Sequence, residues 1–446
     1  MSDDWRSMSA ADLGRGIGAG RIDPRALAEA FLAAIATHPE TPRIYVRTTP
    51  DRARAGAAAA SERARAGNRL GPLDGVPISW KDNYDIAGEV TGAGSKLLAG
   101  KVAVRDAAAF AAATAQGLVC LGKTHMSELA FSGLGINPVT ATPPNAIEPH
   151  RAPGGSSSGA AVSTALGLAA AGIGSDTGGS VRIPAAWNGL AGLKTTAGRI
   201  STEGVVPLST TLDTVGPLCR TVEDCGLLYA AMAGLPMTAP DPAPLAGARL
   251  LVPGTVVLDG CDPEVAAGFE AAVAALVTAG VKITRMAVPE IAECFDVAAR
   301  ISNIVGPEAW RIWGDTIEAN PGVMYGRIEA RFRTGMGGSA EQDRAALAEL
   351  ARLSRAVQAR MVEHGPIAMP TTAILPPPVD RLLANEAYFT ERNLTGLRNT
   401  RLGNLLTLSA LTVPTAAPMV GLMLMAGPGR ENLLLALGRA AEPVLR

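Results

Sequence analysis

The sequence predicts an α/β fold built as one large domain, on three observations. Short apolar runs of strand length alternate with helical stretches through the first half of the chain. Of 446 residues, 48% are hydrophobic, enough to bury a sizeable core. No internal repeat, low-complexity tail or flexible linker divides the chain.

The elements follow in order. Ser9 can cap a helix over residues 10–16, and Asp23-Pro24 opens another that runs to about Thr37. Glycines 14, 16, 18 and 20 have a GxGxG spacing, but no strand precedes them, so they read as a helix end and turn rather than a dinucleotide loop. Residues 51–67 are rich in Ala and Arg and helical by propensity. "GVPISWKDNYD" (75–85) is a short strand leading into Lys81. Asp106 caps a helix to about Gln116, "LVCLGK" (118–123) is a buried strand, and another helix is expected near Thr124. Residues 132–158 lose periodicity and collect Gly, Pro, Asn and Ser; so long a loop within a domain points to function. It leads to a Gly/Ser loop, an Ala-rich helix (159–167), a buried strand (168–174) and a second Gly loop. "TVED" (221–224) is a capping-box pattern for a helix to about Ala233. A strand at 249–253, a helix from Asp262-Pro263 to Ala279 and a strand at 281–285 come next. Ser339 caps a long helix to about His364, "IAMPTT" (367–372) is a strand end, Pro376 to Pro378 form a rigid loop, and a last helix covers about Glu431 to Val444.

Composition narrows the function. The formal net charge is -1 with both signs interspersed, which argues against a nucleic-acid binder or a polybasic membrane surface. "MSDDWRSMSAADLG" has no basic region followed by an apolar stretch, so no secretory signal is expected. The most apolar run, Thr164 to Gly174, is too short to span a bilayer. Cys120, Cys219, Cys225, Cys261 and Cys294 are odd in number, without a CxxC pair, and read as buried apolar residues; neither disulfides nor a zinc site are indicated. A cytoplasmic location is expected.

The second Gly loop, "DTGGS" (176–180), can turn successive N–H groups into one concavity that suits an oxyanion. Taken alone it also reads as an ordinary Gly-Ser turn. If Ser180 is a nucleophile it needs a base. His38, His125, His150 and His364 show no pairing with a carboxylate, and His125 reads as packing or capping, so a Ser-His-Asp triad is unsupported. Lysine is scarce, six against 34 arginines, and arginine cannot serve as a base. Lys81 ends the apolar "VPISW", where burial would lower its pKa toward neutrality; a solvent-facing lysine at a strand end is the alternative. Ser156, in "PGGSSSG" (153–159), can both donate and accept and so bridge Lys81 to Ser180; a turn or N-cap is its bland reading.

Taken together, these segments resemble the amidase signature family. "GGSSSGAAVSTALGLAAAGIGSDTGGSVRIPA" (154–185) fits that family's signature, including the 24-residue interval from Ser156 to Ser180. "GPLDGVPISWKDN" (71–83), "GKTHMSELAFSG" (122–133), "GLAGLKTT" (189–196) and "VGPLCRTVEDC" (215–225) look like its other blocks. The resemblance is strong over residues 10 to about 235 and weak beyond.

It implies a central mixed, twisted β-sheet covered by helices on both faces, in a single domain over 1–446. The core signature region would span about 70–235, with a more variable, substrate-shaping region over about 236–446. Carried over by position, Ser180 is the nucleophile, Ser156 the bridging serine on a cis peptide and Lys81 the base. Thr177, Gly178 and Gly179 supply oxyanion N–H groups together with Ser180, and Ser157 supports the network around Lys81. Asp176 and Arg182 flank the nucleophile and read as an ion pair or loop brace rather than a substrate site; Trp80 and Trp187 read as core. No metal or organic cofactor is implied.

One stretch departs from the family. "TVPTAAPMVGLML" (412–424) runs straight through where a glycine-bearing loop often helps shape the acyl pocket. Pocket residues are expected from parts of 126–145, 300–335 and 371–400, with 137–150 at an entrance. The leading reading is a hydrolase of a small carboxamide or a related carbamoyl or urea-like C–N bond. It has two rivals. One is the glutaminase subunit of a tRNA-dependent amidotransferase, which works with a partner chain. The other is a non-catalytic binding protein on the same fold. The expected partner is a small-molecule amide; the oligomeric state is open, since family members are often homodimers.

Overall fold

The structure is a computed structural model that describes residues 2–446, with side chains from Trp5 onward. Among the described residues eleven strands form one sheet. In chain order they are β1 (Tyr45–Thr48), β2 (Pro77–Lys81), β3 (Val119–Thr124), β4 (Ala171–Asp176), β5 (Ala191–Lys194) and β6 (Thr214–Cys219). The second half adds β7 (Arg249–Pro253), β8 (Lys282–Met286), β9 (Ile367–Pro370), β10 (Ser409–Pro414) and β11 (Gly421–Ala426). Their spatial order is β1-β3-β2-β4-β6-β5-β10-β11-β9-β7-β8. The sheet is mixed, as expected: β2 runs parallel to β3 and β4, β7 parallel to β8 and β9, and antiparallel pairs lie between.

Both faces are covered, and strand periodicity shows how. Successive side chains of a strand point to opposite faces. Leu422, Leu424 and Ala426 of β11 join one apolar cluster, with Phe31, Phe110, Leu228 and Leu434 from helices on that side. Met423 and Met425 join another, with Leu350, Leu353 and Leu405 from helices on the opposite side. On β7, Leu250 and Val252 go to the first cluster and Leu251 to the second. Trp80 and Trp187 are core residues, as the sequence suggests.

Several helices begin where their caps place them. Ser9 Oγ accepts from Asp12 N and opens Ala10–Gly18; Asp23 caps Pro24–Thr37; Ser339 and Gln342 form a full capping box for Ala340–His364. Other expectations need correction. Gly14 and Gly16 lie inside the first of these helices, while Gly18 is its last residue and Gly20, at φ +68°, sits in the turn that follows, as expected. A Cβ on Gly14 would sit 2.0 Å from the Pro72 carbonyl oxygen, so close packing is the reason for this glycine. Asp106 caps nothing: the helix starts at Ala108, and Asp106 Oδ1 accepts from Ala87 N at 2.7 Å. After Thr124 there is only a short 3₁₀ turn, Glu128–Ala130. The strand expected at 168–174 is shifted to 171–176 and so carries Asp176 at its end. The 412–424 stretch is a β-hairpin, β10 paired with β11. Among the described residues no helix is long and apolar enough to cross a membrane.

Candidate active site

Because β2 and β4 are parallel neighbours, their carboxyl ends meet at one edge of the sheet. Lys81 ends β2; Ser175 and Asp176 end β4. The helix Ser158–Ala165 packs on β4 so closely that a Cβ on Gly172 would lie 2.5 Å from the Ala160 carbonyl oxygen. That approach brings the Gly/Ser loop before the helix onto the same edge, with Ser156 following a cis peptide after Gly155.

Lys81 is fully buried. Its Nζ lies 2.7 Å from Ser156 Oγ, 2.8 Å from Ser175 Oγ and 3.4 Å from the Ser175 carbonyl oxygen. Burial lowers its pKa to about 7, against the opposing pull of Asp213 and Asp176. Ser157 supports the network around Lys81 at one remove: its Oγ donates at 3.3 Å to the Ser175 carbonyl that also faces the amine. The sequence reading passes over Ser175, whose hydroxyl shares the amine with that of Ser156 and also accepts from Asn83 Nδ2 at 3.0 Å. Ser157 has a second task, its N–H bonding the Ser180 carbonyl at 3.2 Å and so tying the two Gly/Ser loops together.

Ser180 lines a cavity of about 330 Å³ together with Thr177 and Gly178. The Ser180 hydroxyl makes no hydrogen bond to any described residue, that of Ser156 included. Among the described residues the amides of Thr177, Gly178 and Ser180 find no acceptor, whereas that of Gly179 does: it donates to Asp176 Oδ1 at 2.7 Å. Gly179 is therefore corrected from a free donor to the glycine, at φ +142°, that lets the loop turn. Thr177 Oγ1 donates to Asp213, whose other oxygen accepts from Leu208 N and Ser209 N at 2.9 and 3.1 Å. Burial raises the Asp213 pKa to about 6 despite these bonds. Asp213 is the second residue that the sequence does not disclose; it lies 33 positions after Ser180 in the chain, with nothing local to mark it.

Asp176 and Arg182 form a fully buried ion pair at 2.9 Å, with a second contact from Nε at 3.0 Å. Arg182 also donates to the Thr400 carbonyl and to Asn404 Oδ1, which engages all three of its nitrogens in the protein. Burial pushes the Asp176 carboxyl up, but the Arg182 charge and hydrogen bonds outweigh it and hold the pKa well below the usual range. Since Asp176 also holds the amides of Gly179 and Val181, the pair braces the loop that carries Ser180. Arg182→Ala would leave that carboxylate buried without its cation. A loss of about 3–5 kcal/mol in urea unfolding is expected, with Arg182→Lys recovering only part of it because it cannot make the two-pronged contact.

Among the described residues no histidine lines the cavity. His125 Nδ1 is 3.2 Å from Thr140 Oγ1, and burial lowers its pKa to about 4. The cavity walls come from Ala130–Gly133, from 298–334 and from 386–405, so parts of each segment expected to line it do so. One expectation fails: the 137–150 loop is not part of the wall, and Asn145 pins it to the carbonyls of Ala152 and Trp187. The β10–β11 hairpin takes no part in the wall, in keeping with the departure of 412–424 from the family's pattern.

Comparison with known proteins agrees with this geometry. The family model for Amidase matches residues 26–435. A 2-amino-5-chloromuconic acid deaminase from Comamonas testosteroni is 36% identical over 98% of this chain and 97% of its own length. A glutamyl-tRNA(Gln) amidotransferase chain from Chloroflexus aurantiacus is 36% identical over 61% of this chain and 59% of its own. A solved amidase structure superposes with a TM-score of 0.88 at 28% identity, covering 98% of this chain and all of that one. The chain belongs to the amidase family and is a hydrolase of carbon–nitrogen bonds.

Proposed function

We propose that this enzyme hydrolyses a small carboxamide, or a related C–N bond, through an acyl-enzyme on Ser180, with Ser156 relaying protons to and from Lys81. The observation that carries the reading is the buried Lys81 amine 2.7 Å from Ser156 Oγ. A neutral amine has two N–H groups and one lone pair. The N–H groups suit the hydroxyl and the carbonyl of Ser175, which leaves the lone pair to accept the Ser156 O–H.

Ser180 attacks the carbonyl carbon. Its proton passes to Ser156 as the Ser156 proton passes to Lys81. The oxyanion develops against the free amides of Thr177, Gly178 and Ser180, donors whose removal typically costs about 3–4 kcal/mol each. The proton returns by the same route to the departing nitrogen, and the C–N bond breaks. Water then adds to the ester, the relay takes its proton, and the Ser180–acyl bond breaks to give acid and free serine. Net, one amide and one water become one carboxylic acid and one amine. The Ser156–Ser180 link closes when substrate aligns the nucleophile, as catalytic hydrogen bonds often do.

The deaminase matches this chain end to end and the amidotransferase chain only in part, which supports a stand-alone hydrolase over a glutaminase subunit. The five cysteines are free, four of them buried, which fits a reducing cytoplasm. The test is an ammonia-release screen over aliphatic, aryl and carbamoyl amides, with a fluorophosphonate label mapped by mass spectrometry. Turnover with the label on Ser180 is expected. Turnover with the label on another residue overturns the assignment, and absence of both would mark a binding protein.

A further inference from the structure

The serine relay leaves two cations in the cavity wall without a task. Arg331, on the helix Gly326–Arg333, and Arg401, on the helix Glu386–Leu405, line the same cavity as Ser180. Among the described residues neither guanidinium has an ion-pair or side-chain hydrogen-bond partner, and the Nε of each is sealed from solvent and unpartnered. What they touch is aromatic: Arg331 Cζ lies 4.6 Å from the Phe131 ring centroid, and Arg401 Cζ 5.5 Å from that of Phe295. The third arginine of the wall, Arg327, behaves otherwise and gives its N–H groups to the carbonyls of Leu382 and Leu383. The single carboxylate of the wall, Glu386, is exposed and pairs with neither. Burial, joined by repulsion from Arg401, lowers the Arg331 pKa to about 10.

Two half-buried like charges, each with its Nε sealed from solvent and no anion beside it, are an expensive arrangement, and removing their burial or their charge would relieve it. Its physical purpose follows if the counter-charge arrives with the ligand. A guanidinium fork matches a planar carboxylate in two-point contact. We infer that Arg331 and Arg401 form an anion subsite in the Ser180 cavity, and that the substrate is an amide bearing a carboxylate, such as the half-amide of a short dicarboxylic acid. As an account of substrate this rests on the Ser180 reading; as a binding site it does not, which lets the two be tested apart.

Binding is measured first, by titration calorimetry on Ser180→Ala with succinate, glutarate, adipate, inorganic phosphate and the neutral amide butyramide. At least one dicarboxylate should bind more tightly than phosphate or butyramide. Adding Arg331→Gln or Arg401→Gln should weaken that Kd about 10- to 100-fold, with Arg401→Lys intermediate. Equal binding with and without the arginines, or tighter binding of phosphate or butyramide, overturns the subsite. In wild type, the ratio of kcat/KM for the matching half-amide to that for its neutral analogue should exceed about 100. The ratio should fall at least tenfold in each Gln variant, mainly through KM. A ratio near one in wild type overturns the substrate class. If dicarboxylate binding depends on the arginines while Ser180→Ala turns over like wild type, the subsite stands and the Ser180 mechanism falls.

Discussion

Ser180→Ala is expected to lower kcat/KM for amide hydrolysis by about 10⁴- to 10⁶-fold while leaving stability within about 0.5 kcal/mol of wild type. The two halves of this result have one cause. The Ser180 hydroxyl has no hydrogen-bond partner among the described residues and opens onto the cavity, so its removal breaks no internal bond and leaves no buried group unpaired. What fixes the loop lies outside the Ser180 side chain: the Ser157 N–H to the Ser180 carbonyl, the Gly179 and Val181 amides to the Asp176 carboxylate, Thr177 Oγ1 to Asp213, and Thr400 Oγ1 to the Gly178 carbonyl. On the proposed mechanism the oxyanion donors survive, and with them some acceleration over water, but the attacking oxygen is gone. Ammonia release and urea unfolding on the same preparation check both halves. Activity within about tenfold of wild type would remove Ser180 from the chemistry.

The sequence carries its catalytic edge more openly than its fold. Caps and breakers mark helices well: Ser9, Asp23 and Ser339 each stand where a helix starts. Strands β4, β5, β6, β10 and β11 are buried at every position, so they lack the polar–apolar alternation that marks a half-exposed strand. The strand "AGIGSD" is legible only as far as Gly174, and its two glycines serve close packing, Gly172 against Ala160 and Gly174 against Ser157, which no local pattern reveals. Lys81, Ser156 and Ser180 are legible as a set only through the resemblance, since no two are near in the chain. Ser175 and Asp213 escape for the opposite reason: a serine inside a strand and an aspartate before one are unremarkable until parallel β2 and β4 bring Ser175 to the amine and antiparallel β4 and β6 bring Asp213 to the loop. Arg331 and Arg401 come from the region where the resemblance fades, and their lack of partners is visible only in three dimensions.

Lys81→Met should cost about 10²- to 10⁴-fold in kcat and at the same time change how stability responds to pH. The proposed relay needs the neutral amine in wild type. With a pKa lowered by burial to about 7, log kcat/KM should rise with unit slope below that pH and level off above it. The Met variant should lose this inflexion. Stability depends on the same proton. Below about pH 7 the folded and unfolded chains both hold it, and the penalty for burying the charge stands in full, about 5 kcal/mol against the ordinary value of 10.5. Between 7 and 10.5 only the unfolded chain holds it, so stability rises with pH across that window. Wild type should therefore gain on Lys81→Met by about 1.4 kcal/mol per pH unit from about 7 to 10. Lys194, whose pKa burial also lowers to about 7, titrates in both proteins and cancels in the difference. Urea unfolding of the pair at about pH 6, 8 and 9.5 measures the slope. A difference independent of pH would mean that the amine is already solvated in the folded enzyme, and a surviving inflexion in the Met variant would assign the base to another group.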